Sequence, residues 1–286
     1  MPPSRTAQYV ALYRAFETTE RRRPPLFRDP FARAFLPPRL TFFLDAARLP
    51  IVRRLVLRYA DRRAPGARTS AIARTAYIDD AVRAAAARGV RQVVLLGAGY
   101  DCRAHRMPEL RAARVFEVDR DEIQALKRAR LADLGARGDV RYVAVDFQRD
   151  DLGVALSGAG WSGAEPSLVI WEGVTGYLTE PAVVAVLRWA ATMAAGSRIV
   201  FTYIHAGVLD GSVAFAGGRK LVDNVRRLGE PWRFGLHPEK TGAFVAAAGL
   251  RLIADVGADE YRRTYLPEVG VGYGFYRIAT AEAASG

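Results

Sequence analysis

A single cysteine, Cys102, stands in a chain of 286 residues. No internal disulfide can form, and this usage fits a reducing compartment, so a cytoplasmic setting is expected. Histidine is nearly as scarce. His105, His205 and His237 lack metal-ligand spacing, and neither an H-E-x-x-H pair nor a cysteine cluster occurs. No bound metal is therefore expected. No run reaches the roughly 18 apolar residues that a membrane span needs. The best candidate, 182–196, is too short and carries Arg188. Neither a membrane span nor a membrane partner is expected. Met1-Pro2-Pro3-Ser4-Arg5 leads into no apolar stretch, so no secretory signal is expected. There is no G-x-S-x-G elbow and no G-x-x-x-x-G-K-[ST] loop, which removes two common hydrolase chemistries.

Lysine is short too, with only Lys127, Lys220 and Lys240. The net charge is nonetheless +12, carried by arginine. A basic chain invites a nucleic-acid reading. Here the arginines are mostly dispersed. The one dense run, Arg21-Arg22-Arg23, is followed by Pro24-Pro25 and has no interleaved aromatic. A solvated basic surface is the better reading, and nucleic acid is not the expected partner. Half of the residues are hydrophobic and a quarter charged, which is globular composition. The length suffices for one large domain or two small ones.

What the chain does have is one dense motif. Val93-Val94-Leu95-Leu96 reads as a fully buried strand, and it runs straight into Gly97-Ala98-Gly99-Tyr100-Asp101. Glycines let the backbone turn tightly and let a ligand come close. A strand-to-turn junction of this kind, at the carboxyl end of a parallel sheet, is where α/β proteins bind nucleotides. A second strand, 114–118, ends at Asp119, 22 residues after Gly97. That is close to the ~20-residue offset of an acid that takes ribose hydroxyls. The turn departs from the dinucleotide fingerprint. Cys102 stands at the sixth position, and Pro108 with the charged residues before it spoils a clean helix start. Asp101 would repel a diphosphate. A ligand with a ribose and a zwitterionic part, such as S-adenosylmethionine (SAM), is favoured over NAD.

Two further strands end in acids. Tyr142-Val143-Ala144-Val145 is followed by Asp146-Phe147, and Leu168-Val169-Ile170-Trp171 by Glu172-Gly173. Asp146 can accept an adenine amine while Phe147 stacks on the ring. A turn-capping aspartate beside a core phenylalanine is the plainer alternative. A glutamate closing a buried strand is costly unless paired, and an ammonium group would pair it. Together the acid-ended strands form a ring of acceptors around one crevice. A ligand carboxylate needs a cation, and Arg74, on the helix before the first strand, is the candidate.

Around these motifs the chain alternates. Strands are expected near 92–97, 114–118, 140–145, 167–171, 197–203, 251–257 and 271–279. Helices are expected at 70–88, 121–134, 181–194 and 238–248, and broken helices before residue 70. The alternation argues for a mostly parallel sheet covered on both faces. The long connection 204–238 is expected to form a cap.

The chain resembles the leucine carboxyl methyltransferase-like group of class I SAM-dependent methyltransferases, over nearly its whole length. Pro25-Leu26-Phe27-Arg28-Asp29-Pro30-Phe31-Ala32 is similar to the group's N-terminal element, and Arg74-Thr75-Ala76-Tyr77-Ile78-Asp79-Asp80 to its Arg-Thr-x-x-Ile-Asp element. Leu96-Gly97-Ala98-Gly99-Tyr100-Asp101-Cys102-Arg103-Ala104 resembles its glycine motif, and Phe116-Glu117-Val118-Asp119 its acidic strand end. Glu172-Gly173-Val174-Thr175-Gly176-Tyr177-Leu178 and Gly229-Glu230-Pro231-Trp232-Arg233-Phe234-Gly235 resemble its two later loops. The chain departs from the pattern at Cys102, often threonine there, at Asp121, often proline, and at Trp171, often small.

The resemblance implies an α/β fold. It is a Rossmann-like seven-stranded, mostly parallel sheet with the last strand antiparallel, N-terminal helices and a cap insertion. Residues 1–70 would be the N-terminal helical part of the substrate-side lid, and 71–286 the SAM-dependent methyltransferase domain with its cap at 204–238. It implies that Arg74 holds the SAM carboxylate and that Gly97, Ala98 and Gly99 approach the methionyl part. Asp119 with Arg120 would sit at the ribose, Asp146 and Phe147 at adenine, Glu172 and Gly173 at the methionyl head, and Tyr177 at the reaction centre. His205 is a candidate base, with His237 a second, and Tyr203, Trp232 and Phe234 would line the acceptor pocket. The implied activity is O-methylation of a carboxylate or hydroxyl on a small molecule, in secondary metabolism. The alternatives are a nucleic-acid methyltransferase and a SAM-binding cyclase that transfers no methyl group. The sequence does not specify an oligomeric state.

Overall fold

The structure is a computed structural model, and it describes residues 5–137, 139–270 and 272–284. Four helices lead the chain: α1 (Arg5–Thr18), α2 (Pro38–Ala46), α3 (Pro50–Arg63) and α4 (Ala67–Ala87). Pro38 and Pro50 open their helices rather than break them, because the first helical position needs no N–H and suits a fixed φ. The alternation follows: β1 (Gln92–Leu96), α5 (Arg103–Arg106), β2 (Arg114–Asp119), α6 (Asp121–Leu131), β3 (Arg141–Ala144), α7 (Leu152–Gly158), β4 (Ser167–Trp171), α8 (Glu180–Ala191) and β5 (Arg198–Ile204). Then come α9 (Ala206–Asp210), α10 (Gly218–Arg227), α11 (Pro238–Ala247), β6 (Leu250–Gly257), α12 (Ala258–Tyr265) and β7 (Tyr276–Ala283).

The seven strands form one sheet in the order β3-β2-β1-β4-β5-β7-β6. The first five pair in parallel, and β7 is antiparallel to both β5 and β6. Successive strand residues face opposite layers, as the pleat demands. Val93, Leu95, Val115, Leu168 and Ile170 join the layer of α1 and α4. Val94, Leu96, Phe116, Val169 and Trp171 join the layer of α7, α8 and α11. Strands buried on both faces explain the unbroken apolar runs in the sequence.

The last strand starts later than expected, at Tyr276 rather than near 271, a residue outside the described ones. Its second half, Ala279-Thr280-Ala281-Glu282-Ala283, has weak intrinsic strand character. It pairs on both sides nonetheless, and its alanines are fully buried. Context overrides propensity there. Between β5 and α11 the chain makes an excursion through α9 and α10. An isolated parallel bridge between His205 and Leu236 closes its base. Among the described residues no helix is long and apolar enough to cross a membrane.

Candidate active site

The strand order reverses between β1 and β4, and the loops leaving those two strands frame the crevice where ligands bind in open α/β sheets. Gly97 opens the first loop and Glu172 the second. The two loops touch. Gly97 has φ +62°, and a Cβ there would stand 2.3 Å from Cγ2 of Val174. Gly99 has φ +38°, and a Cβ there would point toward the Asp119 carboxylate, 3.9 Å from Oδ2. Glycine is thus required at the first position for packing and at both for backbone angle. The Ala98 N–H donates to the Val118 carbonyl at 3.0 Å, which ties the turn to β2.

Asp119 closes β2 beside that turn. Its Oδ2 accepts from the Gly99 N–H at 2.7 Å and its Oδ1 from the Arg120 N–H at 2.8 Å. Each oxygen keeps a further lone pair for an incoming hydroxyl. Burial pushes the carboxyl upward, and the two backbone donors only partly offset it. Arg120 is exposed, its guanidinium 3.8 Å from Glu122. Asp146 lies beyond the adjacent end of β3. Its Oδ1 accepts from the Gln148 N–H at 3.0 Å, a turn-capping bond. Phe147 is half-buried, with its ring centroid 6.2 Å from that of Trp171.

The β4 end holds a cluster of arginines and carboxylates. Arg74 Nε donates to Glu172 Oε1 at 2.7 Å, and the Arg74 guanidinium lies 4.5 Å from the Tyr276 ring centroid. Its η nitrogens donate to nothing among the described residues and remain available. Arg103 Nη1 donates to Glu172 Oε2 at 2.7 Å and to Asp101 Oδ2 at 2.5 Å, and Nε donates to Asp79 Oδ1 at 2.8 Å. Arg106 reaches the same Asp79 oxygen at 2.7 Å. Burial works against the Glu172 anion, yet Arg103 and Arg74 outweigh it and hold the carboxyl at about 2. The same balance, with Arg103 and Lys127 as the cations, keeps Asp101 well below the usual carboxylate range. Gly173, at φ +74°, donates its N–H to Thr202 Oγ1 at 2.8 Å, and a Cβ there would come 3.7 Å from the Tyr276 hydroxyl.

Two sequence inferences need correcting here. Asp101 is not a bare negative charge, because Arg103 pairs with it through both its backbone N–H and its side chain. Glu172 needs no ligand ammonium to offset its burial, because each of its oxygens already accepts from an arginine, although each keeps a further lone pair. Arg103 went unnoticed because it looks like one arginine among many. Its place two residues after an acid and inside the glycine motif was the available signal. Lys127 and Glu117 were missed too. The Lys127 ammonium lies 2.7 Å from Glu117 Oε2 and also donates to the Asp101 carbonyl.

Tyr177 sits in a short 3₁₀ turn, Thr175–Tyr177. Burial pushes its phenol up to about 12, with Tyr276, Trp232, Glu230 and Thr6 nearby. His205 begins the excursion. Its Nδ1 accepts from the Gly207 N–H at 3.0 Å, and its ring lies 5.5 Å from that of His237. Burial, then His237, lowers its pKa. Trp232 packs with Phe275 and Tyr276 in a small aromatic cluster. Tyr203 and Phe234 do not line an open pocket. The Tyr203 hydroxyl is tied to Asp255, Thr241 and Arg277, and Phe234 packs on Phe244 in the core.

The chain matches the family model described as leucine carboxyl methyltransferase over residues 7–191. A protein of Frankia alni provisionally named an S-adenosyl-L-methionine-dependent methyltransferase is 40% identical over 219 residues, which are 72% of this chain and 70% of that one. A Streptomyces avermitilis protein of the same provisional name is 42% identical over 217 residues, with the same two shares. Among solved structures, a DUF574 family protein from Streptomyces avermitilis superposes with a TM-score of 0.59. It is 17% identical and covers 95% of this chain and 97% of its own. A provisionally named methyltransferase from Thermobifida fusca gives a TM-score of 0.56 at 21% identity, covering 82% and 89%. These two likenesses establish the fold. That fold and the relatives define a class I SAM-dependent methyltransferase. Within that class the chain belongs to the leucine carboxyl methyltransferase family.

Proposed function

We propose that this protein transfers the methyl group of SAM to an oxygen of a small molecule, a carboxylate ahead of a hydroxyl. The observation that carries the reading is Arg74, whose free η nitrogens stand beside Glu172, while Asp119 faces the glycine turn at the neighbouring strand end. The residues fit the cofactor. Arg74 would take its carboxylate, and the remaining lone pairs of Glu172 its ammonium, beside the backbone of Gly97, Ala98, Gly99 and Gly173. Asp119 and Arg120 would flank the ribose, and Asp146 and Phe147 the adenine. Bound SAM supplies a methyl group already activated on a sulfonium.

The chain therefore has to align donor and acceptor at about 3–3.5 Å and keep water out. A carboxylate acceptor is ionised at neutral pH and needs no base. The Tyr177 phenol stays protonated near pH 7, so it serves as a hydrogen-bond donor at the acceptor and not as a base. His205 is neutral near pH 7, and its Nδ1 already caps α9, which leaves only Nε2 for proton transfer.

The test is a screen of small carboxylic acids and phenols with methyl-labelled SAM, read by product mass. The expected product is an ester that mild alkali hydrolyses. Its rate should stay nearly flat from about pH 6 to 9, because a free carboxylate has a pKa near ~4. His205→Ala should keep most of the maximal rate. An alkali-stable ether together with a loss of about a hundredfold in His205→Ala would move the acceptor to a hydroxyl.

A further inference from the structure

Helix α3 has no buried residue. With α2 and its own N-cap Leu49, it carries Phe42, Phe43, Leu49, Ile51, Leu55 and Tyr59, half of the exposed large hydrophobic side chains among the described residues. Ile51 is 78% exposed, Phe42 69% and Tyr59 66%, so these side chains protrude and do not line a groove. Ile51, Leu55 and Tyr59 recur every fourth residue and form one ridge of α3. Arg54, Arg58 and Arg62 recur at the same spacing, all exposed, and form the adjacent ridge. The opposite side is anchored. Val56 and Leu57 pack on the core, and Arg53 donates to the Phe16 carbonyl and to Glu20.

The local carboxylates are taken. Glu20 pairs with Arg53, Asp61 with Arg68 and Asp45 with Arg33. The guanidinium groups of Arg22, Arg54 and Arg58 have no carboxylate within 4 Å among the described residues, although the Arg22 backbone N–H donates to Glu20. These three, with Arg53, Leu57 and Arg68, line a groove of about 230 Å³ that also touches Glu20 and Asp61. A protruding apolar ridge therefore runs beside a basic groove with uncompensated charge.

We propose that α2 and α3 rest on an anionic lipid surface, with the apolar ridge among the acyl chains and the arginines at the head-group phosphates. A ridge of protruding side chains suits a deformable medium, and arginine stems reach back to the phosphate level. A second copy docking through the same face fits less well, because that face would bring the same arginines and no free carboxylate to meet them. The contact is peripheral. At 14 residues and 1.5 Å per residue, α3 is about 21 Å long and bears five arginines, so it lies on a bilayer and does not cross one. The sequence expectation of no membrane partner rested on the lack of a span, which is a separate matter.

Flotation of the full chain with vesicles tests this. Vesicles of phosphatidylcholine and phosphatidylglycerol in equal parts should carry the protein, and phosphatidylcholine alone should not. Binding should fall sharply between about 0.05 and 0.5 M salt, as screening requires. Arg54→Gln with Arg58→Gln should weaken partitioning about 25-fold, roughly fivefold per arginine. Ile51→Ser with Leu55→Ser should weaken it by at least as much, while SAM affinity, which these residues do not touch, stays at the parent value. No binding to the anionic vesicles at low salt would overturn the proposal. So would binding that both double variants retain. A dimer in light scattering that Ile51→Ser with Leu55→Ser dissolves, without vesicle binding, would assign the face to a second copy. Capture of soluble polyglutamate without vesicle binding would assign it to an acidic protein.

Discussion

Arg103 holds three carboxylates at once, those of Asp79, Asp101 and Glu172, and its side chain is only 2% exposed. Removing one partner of a buried charge group leaves the others uncompensated, at a cost of about 3–5 kcal/mol. Arg103→Met should lower the urea midpoint accordingly, and an unchanged midpoint would show the cluster to be solvated. Asp119 is the opposite case, since its two partners are backbone N–H groups. Asp119→Ala should fold and lose SAM affinity by roughly ten- to a hundredfold, the worth of a charge-assisted bond of about 1.5–3 kcal/mol. Calorimetry decides it, and full affinity in a folded variant would remove Asp119 from the cofactor site. These two residues also mark how far the sequence could be read. Asp119 was legible because it closes an apolar run at a set distance from a glycine turn. Arg103 was not, because nothing in one dimension shows which arginine meets three acids in three.

At the scale of elements, Lys127 on α6 joins Glu117 on β2 to the carbonyl of Asp101 in the glycine turn. Burial pushes the Glu117 carboxyl up to about 7, against the pull of Lys127. The 2.7 Å contact, with a second acceptor on the ammonium, favours the ionised pair. Lys127→Met should cost about 3–5 kcal/mol in urea unfolding, because it strands a buried carboxylate. Lys127→Met with Glu117→Leu should recover most of that loss. A double variant as unstable as the single one would mean that the pair acts through the turn alone. Elements with strong periodicity or a plain boundary, such as β1, β4 and α4, were readable from sequence. The late start of β7 was not. Its pairing partners β5 and β6 come from elsewhere in the chain, and buried alanines give no local sign of a strand.

For the whole molecule, the arginine–carboxylate cluster sets the acid side of the stability curve. Glu172 is held at about 2, below its ordinary 4.5. A carboxyl depressed by folding contributes stability above its unfolded value and loses it as pH falls through the folded one. Melting temperature should therefore drop between about pH 4.5 and pH 2, and Glu172→Gln should flatten part of that drop. An identical acid slope in the variant would place the titration elsewhere.

Under the proposed function, the crevice between β1 and β4 binds SAM through Arg74, Glu172 and Asp119. Isothermal titration of the full chain with SAM, with S-adenosylhomocysteine and with NAD tests it most directly. Micromolar or tighter binding of the first two, about −8 kcal/mol, and no heat with NAD are expected. Binding of NAD with no response to SAM would contradict it.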